Sequence, residues 1–357
     1  MSSSSFHVGI LTGGGDCPGL NAVIRGVTNS LIKTVGARVT GIERGFMGMI
    51  ERRSRPLDSE AVAGILNQGG TILGTHNFAN PFSCNGVDVS DKVMEYVREL
   101  GLDALVAIGG DGTMSIANRF TPLGLPVVGV PKTIDNDLMH TERTFGFDSA
   151  VAIVAEALAR LETTARSHGR VMVLETMGRY AGWIALEGGL AGGADIILIP
   201  EKPYDLNEVI RVCKEREKKQ GYTLICIAEG ARPVDGGMVV AKHLENSPDP
   251  IRLGGVGNVL RQQLEQHLES EVRTTQLGHV QRGGTPTPYD RVLATRFGWY
   301  AAKMVANGEF GRMVVLKGDE CASVPIEDVA NRTRNVPENH SLLDVATSLG
   351  VSLGLPA

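Results

Sequence analysis

The sequence predicts an α/β fold: two doubly wound α/β domains with largely parallel sheets. Three observations carry the prediction. Short, unbroken apolar runs alternate with helical patterns from end to end, the pattern of strands buried on both faces beneath covering helices. The 357 residues suggest two domains or one large one. The 45 glycines are spread along the chain and often doubled, as many tight strand-to-helix turns require.

The elements follow in order. "FHVGIL" (6–11) reads as a buried strand and "LNAVIRGVTNSLIKTV" (20–35) as the helix after it. The amphipathic "DKVMEYVREL" (91–100) leads into the strand "ALVAIGG" (104–110), and "LPVVGV" (125–130) is a third strand. "AVAIVAEALARLETTA" (150–165) is the longest clear helix. "RVMVLET" (170–176), "DIILIP" (195–200), "YTLICIAE" (222–229) and "RMVVLK" (312–317) continue the strands, with helices between most of them. "NVPENHSLLDVATSLGV" (335–351) reads as a terminal helix, although the stretch 318–357 matches no pattern of known use. There is no low-complexity linker and no close repeat, so the sheet pattern alone puts the domain boundary near 146–150.

Composition narrows the function. With 42% hydrophobic and 21% charged residues the chain is ordinary globular material, and its net charge of −5 argues against general nucleic-acid affinity. Cysteines 17, 84, 213, 226 and 321 are odd in number and form no C-x-x-C. That fits reduced cytosolic thiols and argues against a disulfide framework or a zinc site. Residues 1–6, "MSSSSF", read as a frayed tail, with no signal-peptide run after it. No apolar run reaches the roughly 18 residues needed to cross a bilayer. The expectation is a cytoplasmic protein with neither membrane nor nucleic acid as partner.

The polar clusters fall at the carboxyl ends of strands, where doubly wound sheets bind ligands. They are "TGGGDCPG" (12–19), "GGDGT" (109–113), "PKTIDND" (131–137), "TMGR" (176–179) and "EGA" (229–231). Five strand ends loaded with glycine and charge predict an extended site for an anionic ligand. "TGGGDCPG" runs into a helix, so its amides and the helix N-terminus favour negative charge; a plain strand-to-helix turn explains it nearly as well. In "GGDGT", Asp111 can hold Mg²⁺ through water while the amides touch phosphate. The bland alternative makes Asp111 a structural cap. "PKTIDND" offers what phosphoryl transfer to a hydroxyl needs: a base, a cation and a metal-holding carboxylate. Read as an extended segment, it puts Asp135 and Asp137 on one side, one toward the acceptor hydroxyl and the other toward the metal, with Lys132 on phosphate. Its bland reading is an Asx-rich turn. Arg170, Arg179, Arg273 and Arg282 lie near glycine-rich turns and suit a phosphomonoester, whose geometry the guanidinium fork matches. Singly, each is as readily a surface ion pair, and His279 alone reads as a structural histidine.

Together these motifs resemble the 6-phosphofructokinase family, from about residue 7 to about residue 317. The ordered set "GGDCPGLN", "GGDGT", "PKTIDND", "MGR" and "GHVQRGG" is highly specific, whereas "GGDGT" alone is shared with NAD kinases and lipid kinases. The resemblance implies two α/β domains with the active site in the inter-domain cleft. Residues 1–146 plus about 281–331 would bind the donor, ATP with Mg²⁺. Residues 147–280 plus about 332–357 would bind fructose 6-phosphate. Asp135 would take the proton from the sugar 1-hydroxyl, with Thr133 beside it and Lys132 on phosphate. Asp111 and Asp137 would serve Mg²⁺. Gly15, Gly110, Gly112 and Thr113 would lie against the donor phosphates, and Arg179 would steady the transferring group. Met177, Gly178, Glu229, His279 and Arg282 would hold the sugar phosphate, and Arg170 and Arg273 would reach its 6-phosphate from an adjacent subunit. A site so shared implies a homo-oligomer, a dimer or a tetramer.

Three departures from the family pattern matter. ATP users carry glycine at the position of Gly112 and pyrophosphate users an aspartate, whereas Lys132 is the residue of pyrophosphate users; many bacterial ATP users have glycine there. An aspartate would crowd and repel the α-phosphate of a nucleotide, while a lysine can bend away. The donor expected is therefore ATP, with pyrophosphate as the alternative. The arginine that many bacterial members place on the phosphates is replaced by Asn77. Of the basic set that grips effector phosphates in allosteric members, Arg25 and Lys218 match, while Asn29, Glu162 and Gln220 replace others. The expectation is weak or absent control by ADP or phosphoenolpyruvate.

Overall fold

The protein is described from a computed structural model, which covers residues 6–243 and 251–356. All but Phe6 of the expected N-terminal tail lies outside the described residues. Along the chain run β1 (His7–Thr12), α1 (Leu20–Ser30), β2 (Arg38–Ile42), α2 (Phe46–Glu51), β3 (Ser54–Leu57), α3 (Ser90–Leu100), β4 (Ala104–Gly109), α4 (Asp111–Phe120) and β5 (Val127–Pro131). Then come α5 (Phe147–His168), β6 (Val171–Thr176), α6 (Trp183–Ala191), β7 (Ile196–Leu198), α7 (Leu206–Lys219) and β8 (Thr223–Ala228). The chain continues through β9 (Val240–His243), β10 (Ile251–Leu253), α8 (Val256–Leu264), β11 (Val272–Gln276), α9 (Pro288–Asn307), β12 (Arg312–Lys317), β13 (Glu320–Pro325) and α10 (Ser341–Ser348). The helix expected over 20–35 changes character at its end, where Leu31–Val35 forms a π-type turn closed by left-handed Gly36.

The chain divides into two compact units. The first comprises Met1–Ile134, Leu138–Asp148 and Arg282–Arg332; the second comprises Asp135–Asp137, Ser149–Gln281 and Thr333–Ala357.

The first unit holds a seven-stranded sheet in the order β13-β12-β5-β4-β1-β2-β3. Its five inner strands are parallel, while β3 and β13 run antiparallel at the two edges. Every residue of β1, β4 and β5 is buried, as the unbroken apolar runs require of strands covered on both faces. On one face Leu11, Leu105 and Ala107 pack with Met114, Phe120, Val93 and Met313. The strand order reverses between β1 and β4: β1 passes on to β2 on one side, and β4 to β5 on the other. Such a switch point opens a crevice at the carboxyl ends of the two strands. The loops that leave those ends are residues 13–19 and Gly110.

The second unit holds a four-stranded parallel sheet, β11-β6-β8-β7. Its core joins Val171, Val173, Ile225 and Ile227 to Val209, Leu260 and Leu264 of the flanking helices. A separate antiparallel ribbon pairs β9 with β10.

Candidate active site

In the first unit the glycine loops pack onto one another. The Gly13 amide donates to the Ile108 carbonyl at 2.9 Å. Thr113 is only 5% exposed. A methyl group built on Gly13 or Gly109 would stand 2.5 or 2.2 Å from its hydroxyl. The expected role of Thr113 at the phosphates thus meets a packing role: its side chain fills the notch that two glycines leave. Gly112 is different. Its backbone is unstrained, and a side chain there would meet nothing within 4 Å. The fold has no need of glycine at this helical position, where glycine costs about 1 kcal/mol relative to alanine. Beside α4 opens a cavity of 330 Å³ lined by Asn80, Ser115, Ile116, Asn118, Arg119, Ala330 and Asn331.

Lys132 extends β5, with its amide on the Gly109 carbonyl at 3.0 Å. It is 4% exposed, and its ammonium donates to the Gly15 carbonyl at 2.6 Å. The expectation that this lysine bends away is therefore corrected: burial and that hydrogen bond pin it to the glycine loop. Arg282 belongs to the same neighbourhood. It donates to the Asp16 carbonyl at 3.1 Å, and a side chain on Gly15 would lie 2.9 Å from its guanidinium. Thr133 is buried, and its carbonyl accepts the Thr144 hydroxyl at 2.7 Å.

Asp111 opens α4, and its Oδ1 accepts the Asn331 amide at 2.6 Å. Burial pushes its carboxyl above the usual carboxylate range, while the amides of Asn331 and Arg332 and the Ser115 hydroxyl pull the other way. Asp111 thus fastens the 331–332 turn. A carboxylate has about four acceptor positions, so this capping leaves room for a further ligand. Among the described residues no group of three or more His, Cys, Asp or Glu could cage a metal. Mg²⁺ carried on substrate phosphates needs only one or two carboxylates, and the donor set fits that kind of Mg²⁺.

The "PKTIDND" segment is not extended beyond β5. Asn136 takes a left-handed φ of 51° and is 2% exposed. The inference that Asp135 and Asp137 share a side by strand alternation therefore fails, because the turn breaks the period on which it rests. Asp135, Asn136 and Asp137 belong to the second unit. There Arg334 donates its amide to the Asp137 carbonyl at 2.7 Å and Nε–H to the Asn136 carbonyl at 3.2 Å.

The loops after β6 and β8 are laced together in the second unit. The Glu229 amide reaches the Thr176 carbonyl at 2.8 Å, and the Gly230 amide reaches the Gly178 carbonyl at 3.1 Å. Gly178 holds φ 132°, which only glycine adopts readily. Buried Gln281 accepts the Met177 amide at 2.7 Å. Arg179 lies over the Tyr180 ring, 5.7 Å from its centre. Exposed His279 follows β11, whose chain is tied on by the Leu277 amide at the Glu175 carbonyl. Met177, Gly178, Arg179, Glu229 and His279 thus all leave carboxyl ends of one sheet.

Arg170 and Arg273 are brought together elsewhere. Both pair with Glu271, Arg170 at 2.5 Å. Arg170 precedes β6 and Arg273 is the second residue of β11, so both mark the amino ends of these strands. Six residues of β6 at about 3.3 Å each separate them by ~20 Å from the Met177 loop. Within one chain these arginines cannot share a phosphate with that loop.

Two of the positions where allosteric members grip an effector, Glu162 and Asn29, are engaged internally. Glu162 accepts from Arg166 at 2.6 Å and from the Tyr222 hydroxyl at 3.0 Å. Asn29 accepts the Ser59 hydroxyl at 2.9 Å. All five cysteines are free thiols, and burial pushes those of Cys213 and Cys226 up to about 12.

The sequence reading missed Gln281, Asn331 and Arg334. Gln281 sits inside "GHVQRGG", where His279 and Arg282 drew the attention, and Asn331 and Arg334 lie in the stretch that had no interpretation.

The family model described as Phosphofructokinase matches residues 7–305. The chain belongs to the phosphofructokinase family. An ATP-dependent 6-phosphofructokinase 2 of Clostridium perfringens is 50% identical over 356 residues, covering 97% of each chain. A pyrophosphate–fructose 6-phosphate 1-phosphotransferase of Streptomyces coelicolor is 49% identical over 332 residues, covering 93% of this chain and 96% of the relative. The solved phosphofructokinase of Saccharomyces cerevisiae superposes with a TM-score of 0.76 at 30% identity. That match covers 90% of this chain, which spans 45% of the yeast chain. Family members of both donor types thus stand at similar identity, and the donor must be read from the residues.

Proposed function

We propose that this protein is an ATP-dependent 6-phosphofructokinase, which converts fructose 6-phosphate to fructose 1,6-bisphosphate in glycolysis. The observation that carries the choice of donor is Gly112. It is a helical glycine that the fold does not require, open on its side-chain face, one turn from a 330 Å³ cavity. A nucleotide has a use for that space; pyrophosphate has none. The second reading, a pyrophosphate-dependent enzyme, rests on pinned Lys132, a fixed cation beside the glycine loop.

In the proposed reaction Asp135 accepts the proton of the sugar 1-hydroxyl as its oxygen attacks the γ-phosphorus of ATP, and ADP leaves. Thr133 stands beside the base. Arg179 and Lys132 neutralise charge that builds on the transferring group. The amides of Gly15, Gly110 and Gly112 approach the donor phosphates, with Arg282 bracing the glycine loop. Asp111 and Asp137 would hold Mg²⁺, which on binding offsets phosphate charge. Met177, Gly178, Glu229, His279 and Arg282 hold the sugar phosphate of the same subunit. Arg170 and Arg273 serve the 6-phosphate of a neighbour's substrate, which makes the enzyme at least a dimer and fits a tetramer. The first unit is then the donor domain and the second the fructose 6-phosphate domain of a cytoplasmic enzyme.

Asp135→Ser tests the assignment. It should remove most turnover and leave fructose 6-phosphate binding largely intact; unchanged turnover would exclude Asp135 as the base.

A further inference from the structure

Arg334 lies in the C-terminal stretch that the motifs leave unexplained. Its backbone amide donates to the Asp137 carbonyl at 2.7 Å. Its Nε–H donates to the Asn136 carbonyl at 3.2 Å. Its guanidinium covers the Trp183 indole, 4.4 Å from the ring centre. The indole N–H closes the circuit by donating to the Arg334 carbonyl at 2.9 Å. Trp183 is 3% exposed and also meets the His340 ring edge-on at 5.0 Å. The arginine is thus fixed from both sides, through its main chain and through its cation–π face.

What it fixes is a strained turn. Asn136 holds a left-handed φ of 51° while 2% exposed, a conformation that asparagine tolerates better than most residues but that still costs free energy and is held by its surroundings. Two successive carbonyls of that turn, at Asn136 and Asp137, accept from one residue. Asp135 precedes the strained residue directly, so its direction depends on the same turn.

We infer that Arg334 is a positioning residue for the reaction: clamped on Trp183, it holds the Asn136–Asp137 carbonyls and so aims the Asp135 carboxylate at the acceptor hydroxyl. The inference rests on the proposed phosphofructokinase activity. A base misplaced by about an ångström loses roughly 100-fold in rate, whereas sugar-phosphate binding does not need the base to be aimed.

The test compares wild type, Arg334→Ala and Arg334→Lys, each in a Trp299→Phe background so that Trp183 is the sole indole. Three quantities are measured: kcat with ATP and Mg²⁺, equilibrium binding of fructose 6-phosphate, and Trp183 emission. Arg334→Ala should lower kcat by about 100-fold, leave sugar-phosphate binding within about threefold, and shift Trp183 emission. Arg334→Lys keeps a cation over the ring but loses the Nε–H, so its kcat should fall between the two. It also serves if the alanine variant does not fold. Unchanged kcat in the variants would overturn the inference. So would a parallel loss of binding and turnover, which marks a purely structural residue. A wild type inactive on fructose 6-phosphate with either donor would instead refute the proposed reaction, and the inference with it.

Discussion

Replacing Gly112 with aspartate separates a structural glycine from a functional one. The position lies in the first turn of α4 with open space on its side-chain face and no positive φ. An aspartate there gains a few tenths of a kcal/mol of helix propensity over glycine. It also gains about 0.3–1 kcal/mol from the helix N-terminus, offset in part by its neighbour Asp111. The fold should therefore melt within a few degrees of wild type. The donor is affected far more. A carboxylate within about 6 Å of a phosphate charge, at an effective dielectric near 20, costs about 3 kcal/mol. That is a loss of about 100-fold in kcat/KM for ATP. The assay is the initial rate of ADP formation at saturating fructose 6-phosphate, with ATP varied and melting followed in parallel. Gly112→Ala, which adds bulk without charge, should keep most ATP turnover and melt at or slightly above wild type. If Gly112→Asp folds normally and keeps the wild-type kcat/KM for ATP, the argument from this glycine is wrong.

Other outcomes follow from the same geometry. Arg170→Ala should raise the KM for fructose 6-phosphate about 10- to 100-fold, the loss of a charged hydrogen bond, with the KM for ATP little changed. At fructose 6-phosphate well below the raised KM, mixing its subunits with Asp135→Ser subunits should raise turnover above that of either variant alone, because some sites in such hybrids carry neither change; hybrids that show no such gain would contradict a shared site. ADP and phosphoenolpyruvate should not produce a sigmoidal response, since Glu162 repels phosphate and is already held by Arg166 and Tyr222; a large sigmoidal shift on effector titration would refute this. Burial and then the Arg38 charge lower the pKa of His7. The unfolded chain therefore takes up this proton first, and stability falls as pH drops below about 6.5. His7→Gln should flatten the fall in melting temperature between pH 7.5 and 5.5, and an unchanged slope would count against it.

The inner strands β1, β4, β6 and β8 were legible because burial on both faces leaves them mostly apolar, whereas the inner strand β2, "RVTGI", was missed because its apolar run is short and broken by threonine and glycine. The missed edge strands are marginal or one-sided. β3 is "SRPL", an edge strand that tolerates proline, and β11 is "VRTTQ", mostly open to solvent. β13, an antiparallel edge, fell within the uninterpreted C-terminal stretch. At the site, residue types were readable but directions were not. Strand alternation misled at Asp135 and Asp137 because Asn136 turns left-handed, as the Asx-rich reading of the segment allowed. Lys132 looked mobile in sequence, but its position between β4 and the glycine loop buries it. The long-range clasps, Asn331 on Asp111 and Arg334 on Asn136, join residues about 200 apart in the chain, and only the fold shows them.

The most direct measurement is the initial rate on fructose 6-phosphate with Mg²⁺, with ATP and pyrophosphate compared as donors. Turnover with ATP and none with pyrophosphate is the predicted result: open Gly112 decides the donor, and pinned Lys132 is tolerated beside a nucleotide. Turnover with pyrophosphate alone would contradict it and make Lys132, together with Asn77 in place of an arginine, the deciding residue.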